Sequence, residues 1–174
     1  MLKRIAIALL VAVLIAPTAA LGQTRRRSSR TPAPSQSSAQ KVSAARTAGA
    51  TKVAEQIKLM TKFIYLLGGI ANGLAAVDEA VKKNEASESV IQANQQSKAL
   101  VRKGFQDFRV GLDALETEFR NQPELQPYYI KLAGSAAGAA KAEELAAASQ
   151  YDAAGRTLLT VINRLADVLV VMRQ

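Results

Sequence analysis

From Val53 to Met172 the large apolar residues of this chain recur in steps of three and four, and that period admits one class of fold. Val53, Ile57, Met60, Ile64, Leu67, Ala71 and Leu74 form a heptad stripe, which Val77 and Val81 prolong. A second stripe starts weakly at Val90 and Ile91, then becomes regular through Val101, Phe105, Phe108, Leu112, Leu115 and Phe119. A third runs through Tyr129, Leu132, Ala136 and Ala139, and a fourth through Tyr151, Ala154, Leu158, Val161, Leu165, Val168 and Met172. Residues so spaced share one face of a helix and need a neighbouring helix to cover them. No segment alternates with period two over a strand's length, and no Asn-Gly or Asp-Gly turn lies between two such runs. The pattern predicts an all-α chain with helices over 53–83, 87–121, 124–148 and 150–173. Four amphipathic helices with short connections predict an antiparallel up-down-up-down four-helix bundle.

The breaks between stripes have local causes. Asn84 and the polar run to Ser87 end the first, with Ser87 as the expected cap of the second helix. Asn121-Gln122-Pro123 ends the second, because proline disfavours helix in the residue before it. Pro123 and Pro127 are both acceptable in the first turn of the third helix. Ser149, with Asp152 three residues on, reads as a box-like cap for the fourth. The first two helices are expected to be longer than the last two. The first hairpin should therefore overhang by about 10 Å at 1.5 Å per residue, and the polar run Glu85–Lys98 fits such an unaccompanied stretch.

Ahead of the stripes lies a leader of different character. Met1-Leu2-Lys3-Arg4 is a short positive start, Ile5–Ala16 is uninterrupted and apolar, and Pro17 ends it. Ala20-Leu21-Gly22 then sets small residues third and first before a bond to Gln23. This three-part layout predicts a signal peptide over 1–22, cleaved between Gly22 and Gln23, and an exported chain, periplasmic or extracellular. The apolar run is only about a dozen residues against the roughly twenty a spanning helix needs, so no transmembrane span is expected in the mature chain. With no cysteine, the exported protein has no disulfide and no lipid-modified cysteine, and relies on its core alone.

Residues 23–40, QTRRRSSRTPAPSQSSAQ, hold no Val, Ile, Leu, Phe, Tyr or Met. Such a segment buries too little apolar surface to offset its ordering entropy, which predicts a disordered tether. Residues 41–52 form a helix-compatible transition, so the expected domains are 1–22 signal peptide, 23–52 tether and transition, and 53–174 bundle. The net charge of +9 resides in this first part: residues 1–52 carry nine basic side chains and no acid, whereas 53–174 carry fourteen of each. A nucleic-acid-binding domain concentrates positive charge on a face of its fold, so a nucleic-acid partner is not expected. Arg25, Arg26, Arg27 and Arg30 are instead expected to contact an anionic envelope surface. At about 1 kcal/mol each they supply about 4 kcal/mol, a roughly millimolar auxiliary attraction.

The composition also constrains chemistry. With neither His nor Cys, the chain lacks the usual ligands for haem, di-iron and structural zinc, and His- or Cys-based nucleophile–base pairs. Met60 and Met172 fall on apolar stripes and read as core residues. The carboxylate pairs Asp78-Glu79 and Glu143-Glu144 are adjacent on helices, about 100° apart, and do not converge. Asp78 falls on the first stripe and reads as a partly solvated residue near the overhang. No cofactor, metal or catalytic residue is expected. Gly69 and Gly73, and Gly134 and Gly138, lie four apart within helical patterns, where each glycine costs roughly 1 kcal/mol against alanine. They suggest close packing inside the bundle with the two pairs at nearly one height, an interface to a further chain or a second copy, or a kink of the first helix at Gly68-Gly69. The expected function is that of an exported, non-enzymatic bundle acting through contacts with an unidentified protein. The alternative is a small-molecule carrier or enzyme with a pocket between helices.

Overall fold

The computed structural model describes residues 37–174, and the described chain is all-α. Its helices are α1 (Ser38–Lys82), α2 (Glu88–Asn121), α3 (Gln126–Leu132), α4 (Ser135–Ala147) and α5 (Tyr151–Met172). α1 packs on α2 and α5, α4 packs on the same two helices, and the short α3 rests against α2 and α5. The expected signal segment, its Gly22–Gln23 bond, and Arg25, Arg26, Arg27 and Arg30 lie outside the described residues.

α1 begins earlier than the apolar stripe indicates, at Ser38 rather than near Val53. Ser37 caps it: its hydroxyl accepts the Gln40 N–H at 3.3 Å, and the Gln40 side chain accepts the Ser37 N–H at 3.0 Å. This reciprocal box satisfies two donors that a helix start leaves orphaned. The alanine-rich run that follows favours helix by propensity. Its anchor is Gly49, buried against Leu125 and Met172: a Cβ there would sit 3.0 Å from Leu125 Cδ2 and 3.2 Å from Met172 Cε. The transition segment is thus helix in contact with the rest of the fold, and its large apolar partners come from elsewhere in the chain.

The core follows the heptads. Val53, Met60, Leu67 and Leu74 of α1 are buried with Val101, Phe105, Leu112, Leu115 and Phe119 of α2. Leu158, Val161, Leu165, Val168 and Met172 of α5 complete one continuous cluster. The fully buried apolar residues of α4 are all alanines, Ala139, Ala142 and Ala146, so it fits close against its neighbours. Phe63, off the main stripe, meets Phe105 and Phe108 edge-on with centroids 5.0 and 5.1 Å away, a favoured aromatic geometry.

The third predicted helix is two helices. Gly134 takes φ +87°, a left-handed conformation that breaks α3 from α4. The freed backbone groups have partners. Arg164 Nη1 donates to Ala133 O at 2.9 Å and Ser135 Oγ to Leu132 O at 2.6 Å. Glu116 Oε1 accepts the Ala136 N–H at 2.8 Å, placing a carboxylate at the start of α4 where the helix dipole favours it. Two expected caps also differ. Ser87 holds the position before α2, but its hydroxyl meets Ser89 Oγ rather than the backbone. Ser149 adopts φ +59° in the turn that ends α4, and Gln150 precedes α5.

Candidate interaction surface

The longest uncharged stretch of α1 is 63–77, FIYLLGGIANGLAAV, and only part of it faces the core. Leu67 and Leu74 are buried, whereas Tyr65 is 81% exposed, Leu66 53% and Ile70 45%. Leu59, one turn earlier, is 55% exposed. By length and composition α1 could cross a membrane, yet most of its apolar stretch is uncovered by the fold. A helix apolar on all sides is ordinarily surrounded on all sides. Here the bundle covers one side.

The glycines sharpen this asymmetry. A Cβ added at Gly68, Gly69 or Gly73 meets nothing within 4 Å. Each costs α1 roughly 1 kcal/mol in helix propensity, and no contact within the described fold requires it. Gly69 and Gly73 therefore do not pack inside the bundle. α1 also runs unbroken through Gly68-Gly69. The second pair behaves otherwise. At Gly138 a Cβ would lie 2.6 Å from Val161 Cγ2, so this glycine sets a close approach of α4 to α5. Gly134 is the left-handed break, with Arg164 Nη1 2.6 Å from where its Cβ would be. The two glycine pairs do not meet. Gly104 on α2, where a Cβ would collide with the Phe63 ring, is a close-packing glycine that spacing did not reveal.

The α1–α2 register carries the apolar face onto α2. Phe63 lies against Gly104, Gln56 against Gly111, and Lys52 Nζ reaches Glu118 at 2.6 Å. The two helices thus run antiparallel, and Leu100, 71% exposed, stands at the height of Leu66–Ile70.

Seven ion pairs form among the described residues. Asp78 accepts from Lys98 Nζ at 2.6 Å and from Asn94 Nδ2 at 2.9 Å, a part-buried trio joining α1 to α2 near their connection. Glu143 accepts from Arg109 Nε at 2.7 Å, Glu144 pairs with Lys141 at 3.0 Å, and Glu79 pairs with Lys82 at 2.6 Å. The Glu79 carboxylate, by hydrogen bond and charge, holds the Lys82 ammonium above its ordinary range, and Asp152 does the same for Arg156. Neither sequence-adjacent carboxylate pair converges on a common point. Among the described residues no three acidic side chains gather in a way that could hold a metal ion.

One surface groove has mixed character. Between α1 and α5, Ile64, Leu67, Gly68, Ala71, Gly155 and Leu159 line an open hollow of about 370 Å³. Asn72 and the Asp152–Arg156 ion pair also border it. Tyr151 lies alongside, 5% exposed, with its hydroxyl buried and without a hydrogen-bond partner. Comparison with protein-family models, curated proteins and solved structures finds no match to this chain.

Proposed function

We propose that this chain is an exported, non-enzymatic up-down-up-down helical bundle that acts through protein–protein contacts in the cell envelope or outside the cell. The observation that carries the reading is the outer face of α1, with exposed Leu59, Tyr65, Leu66 and Ile70 around Gly69 and Gly73. An exposed apolar patch of this extent on a helix marks a contact surface. The three-part leader, with its Gly22–Gln23 cleavage bond, supports export, and Arg25, Arg26, Arg27 and Arg30 add weak attraction to an anionic surface. The sequence-adjacent carboxylates Asp78, Glu79, Glu143 and Glu144 are ion-paired in the described fold, which favours a binding role over a catalytic one. The test is affinity capture of the tagged protein from envelope extracts beside a Leu66→Glu variant. Partners that depend on the α1 face are lost from the variant, and an identical capture profile from both refutes the assignment of that face.

A second reading, a small-molecule carrier, draws on the α1–α5 groove and the unpartnered Tyr151 hydroxyl. An apolar hollow with a few polar groups is a common ligand-site pattern. Native mass spectrometry of the purified protein separates the readings. A retained small molecule that Gly155→Leu displaces favours the carrier.

A further inference from the structure

We infer that the end of the fold at which α1 begins is a cationic face that docks on a bilayer containing anionic phospholipid, with the α1–α2 connection pointing away from it. This rests on the reading of an exported chain weakly attracted to an anionic envelope surface, and it assigns that attraction to residues of the described fold.

Three contacts bring the charges of this end together. Lys52 meets Glu118, so the end of α2 lies beside the first turns of α1. A Cβ at Gly49 would touch both Leu125 and Met172, so the chain after α2 and the end of α5 stand level with Gly49. Arg46 and Arg173 border one hollow. At or beyond that level the described chain carries Lys41, Arg46, Arg120 and Arg173 against one acid, Glu124. A carboxylate at Gln174, and helix-end partial charges of about half a unit each, one positive and two negative, still leave this end positive. Farther in lie the paired Lys52 and Glu118, then Glu55, Asp113, Glu116, Lys131, Arg164 and Asp167. Glu116 is tied to the Ala136 N–H at 2.8 Å. Glu55, Asp113 and Asp167 stand about 9 Å or more inward, near the distance over which salt screens exposed charges. The opposite end differs in sign. Around the α1–α2 connection Lys82, Lys83 and Lys98 meet Asp78, Glu79, Glu85 and Glu88.

The four cations are unengaged. None belongs to an ion pair among the described residues. Lys41, Arg120 and Arg173 are exposed and Arg46 is half-buried. Helix stability accounts for Arg120 and Arg173, which stand at the ends of α2 and α5, where the helix dipole favours a cation. It does not account for Lys41. The first turn of α1 holds no acid and ends on Lys41, where the dipole disfavours positive charge. Val42 beside it is 46% exposed, an apolar side chain at the same end. Exposed cations spread over three helices fit a surface of diffuse negative charge rather than a ligand that needs converging groups. The sequence attaches Arg25, Arg26, Arg27 and Arg30 to this end through Ser37. Each basic residue close to an anionic bilayer is worth about fivefold in affinity, so three are worth about a hundredfold.

Co-sedimentation of the purified protein with vesicles of phosphatidylglycerol and phosphatidylcholine reads this directly, beside vesicles of phosphatidylcholine alone. Binding to the anionic vesicles only is expected, falling as salt is added. K41Q/R120Q/R173Q should weaken it about a hundredfold and keep the fold, which circular dichroism checks. K58Q/K62Q/K83Q removes the same charge from residues that also lie outside the ion pairs, away from this end, and should change binding little. In this cysteine-free chain a polarity-sensitive fluorophore should report the bilayer from V42C and not from A86C, and the reverse overturns the orientation. Equal losses in the two triple variants overturn the inference, because net charge alone then governs. Binding that survives K41Q/R120Q/R173Q but vanishes on deletion of residues 23–36 also overturns it, and the leader then acts alone. Equal binding to both vesicle types replaces the charged contact with an apolar one. A protein that ignores vesicles but is retained on heparin assigns the cations to a polyanionic glycan and overturns the bilayer. Binding to neither removes both this inference and the weak surface attraction, while the protein-contact reading of α1 keeps its own test in the Leu66→Glu capture.

Discussion

Gly68 and Gly138 are both helical glycines, and alanine at each should change stability in opposite directions. At Gly68 a Cβ meets nothing within 4 Å, so Gly68→Ala should gain the propensity difference, about 1 kcal/mol. At Gly138 a Cβ would lie 2.6 Å from Val161 Cγ2, closer than carbon atoms tolerate. Val161 is 4% exposed and packed in the core, so it cannot turn aside freely. Overpacking of this kind costs about 1–3 kcal/mol, against a propensity gain of up to about 1 kcal/mol. Gly138→Ala should therefore lose up to about 2 kcal/mol, leaving the two variants about 1–3 kcal/mol apart. Urea denaturation followed by far-ultraviolet circular dichroism measures both. A Gly138→Ala variant as stabilised as Gly68→Ala would show that this glycine does not set the α4–α5 spacing. A destabilised Gly68→Ala would show that the space outside α1 is occupied.

Other expectations follow from the same contacts. Leu158→Ala, at a fully buried position of α5, should cost about 2–5 kcal/mol in the same denaturation assay. Deleting residues 23–36 should leave the melting temperature unchanged, since they hold no large apolar side chain, whereas extending the deletion through Gln40 removes the Ser37 cap and should cost about 1 kcal/mol. Intact-mass measurement of protein from its native compartment should find Gln23 at the N-terminus, and a mature pool retaining Met1 would refute cleavage. Glu116→Ala should cost about 1–2 kcal/mol by stripping the Ala136 N–H of its acceptor, while Glu116→Gln, which keeps an oxygen there, should cost less.

How much of this was legible in the sequence depended on which side of a contact held the large residue. α2 and α5 carry their own large apolar stripes, and their observed bounds lie within a residue or so of those the stripes predict. The first turns of α1 carry Gly49 and alanines, while Leu125 and Met172 supply the bulk from distant positions. Residues 41–52, with Val42 alone among their large apolar side chains, therefore carry no stripe of their own. Gly104 was missed for the same reason, because the ring that fills its space belongs to Phe63.

Glycine itself was the other source of error, because one residue type serves three physical ends. Gly134 and Gly69 open pairs with the same four-residue spacing, yet Gly134 supplies a left-handed φ and Gly69 an empty surface. Spacing cannot separate them, but their neighbours can. Beside Gly134 stands Ser135, whose hydroxyl can cap the preceding turn, and the chain supplies Arg164 and Glu116 for the remaining backbone groups. Beside Gly69 stand Leu66, Ile70 and Gly73, and the nearby Asn72 borders the α1–α5 groove. A break needs partners for its freed N–H and C=O groups, and a flat face needs apolar company. The environment of Gly69 meets only the second condition. This is why α1 continues through it, with its outer face left uncovered by the described fold.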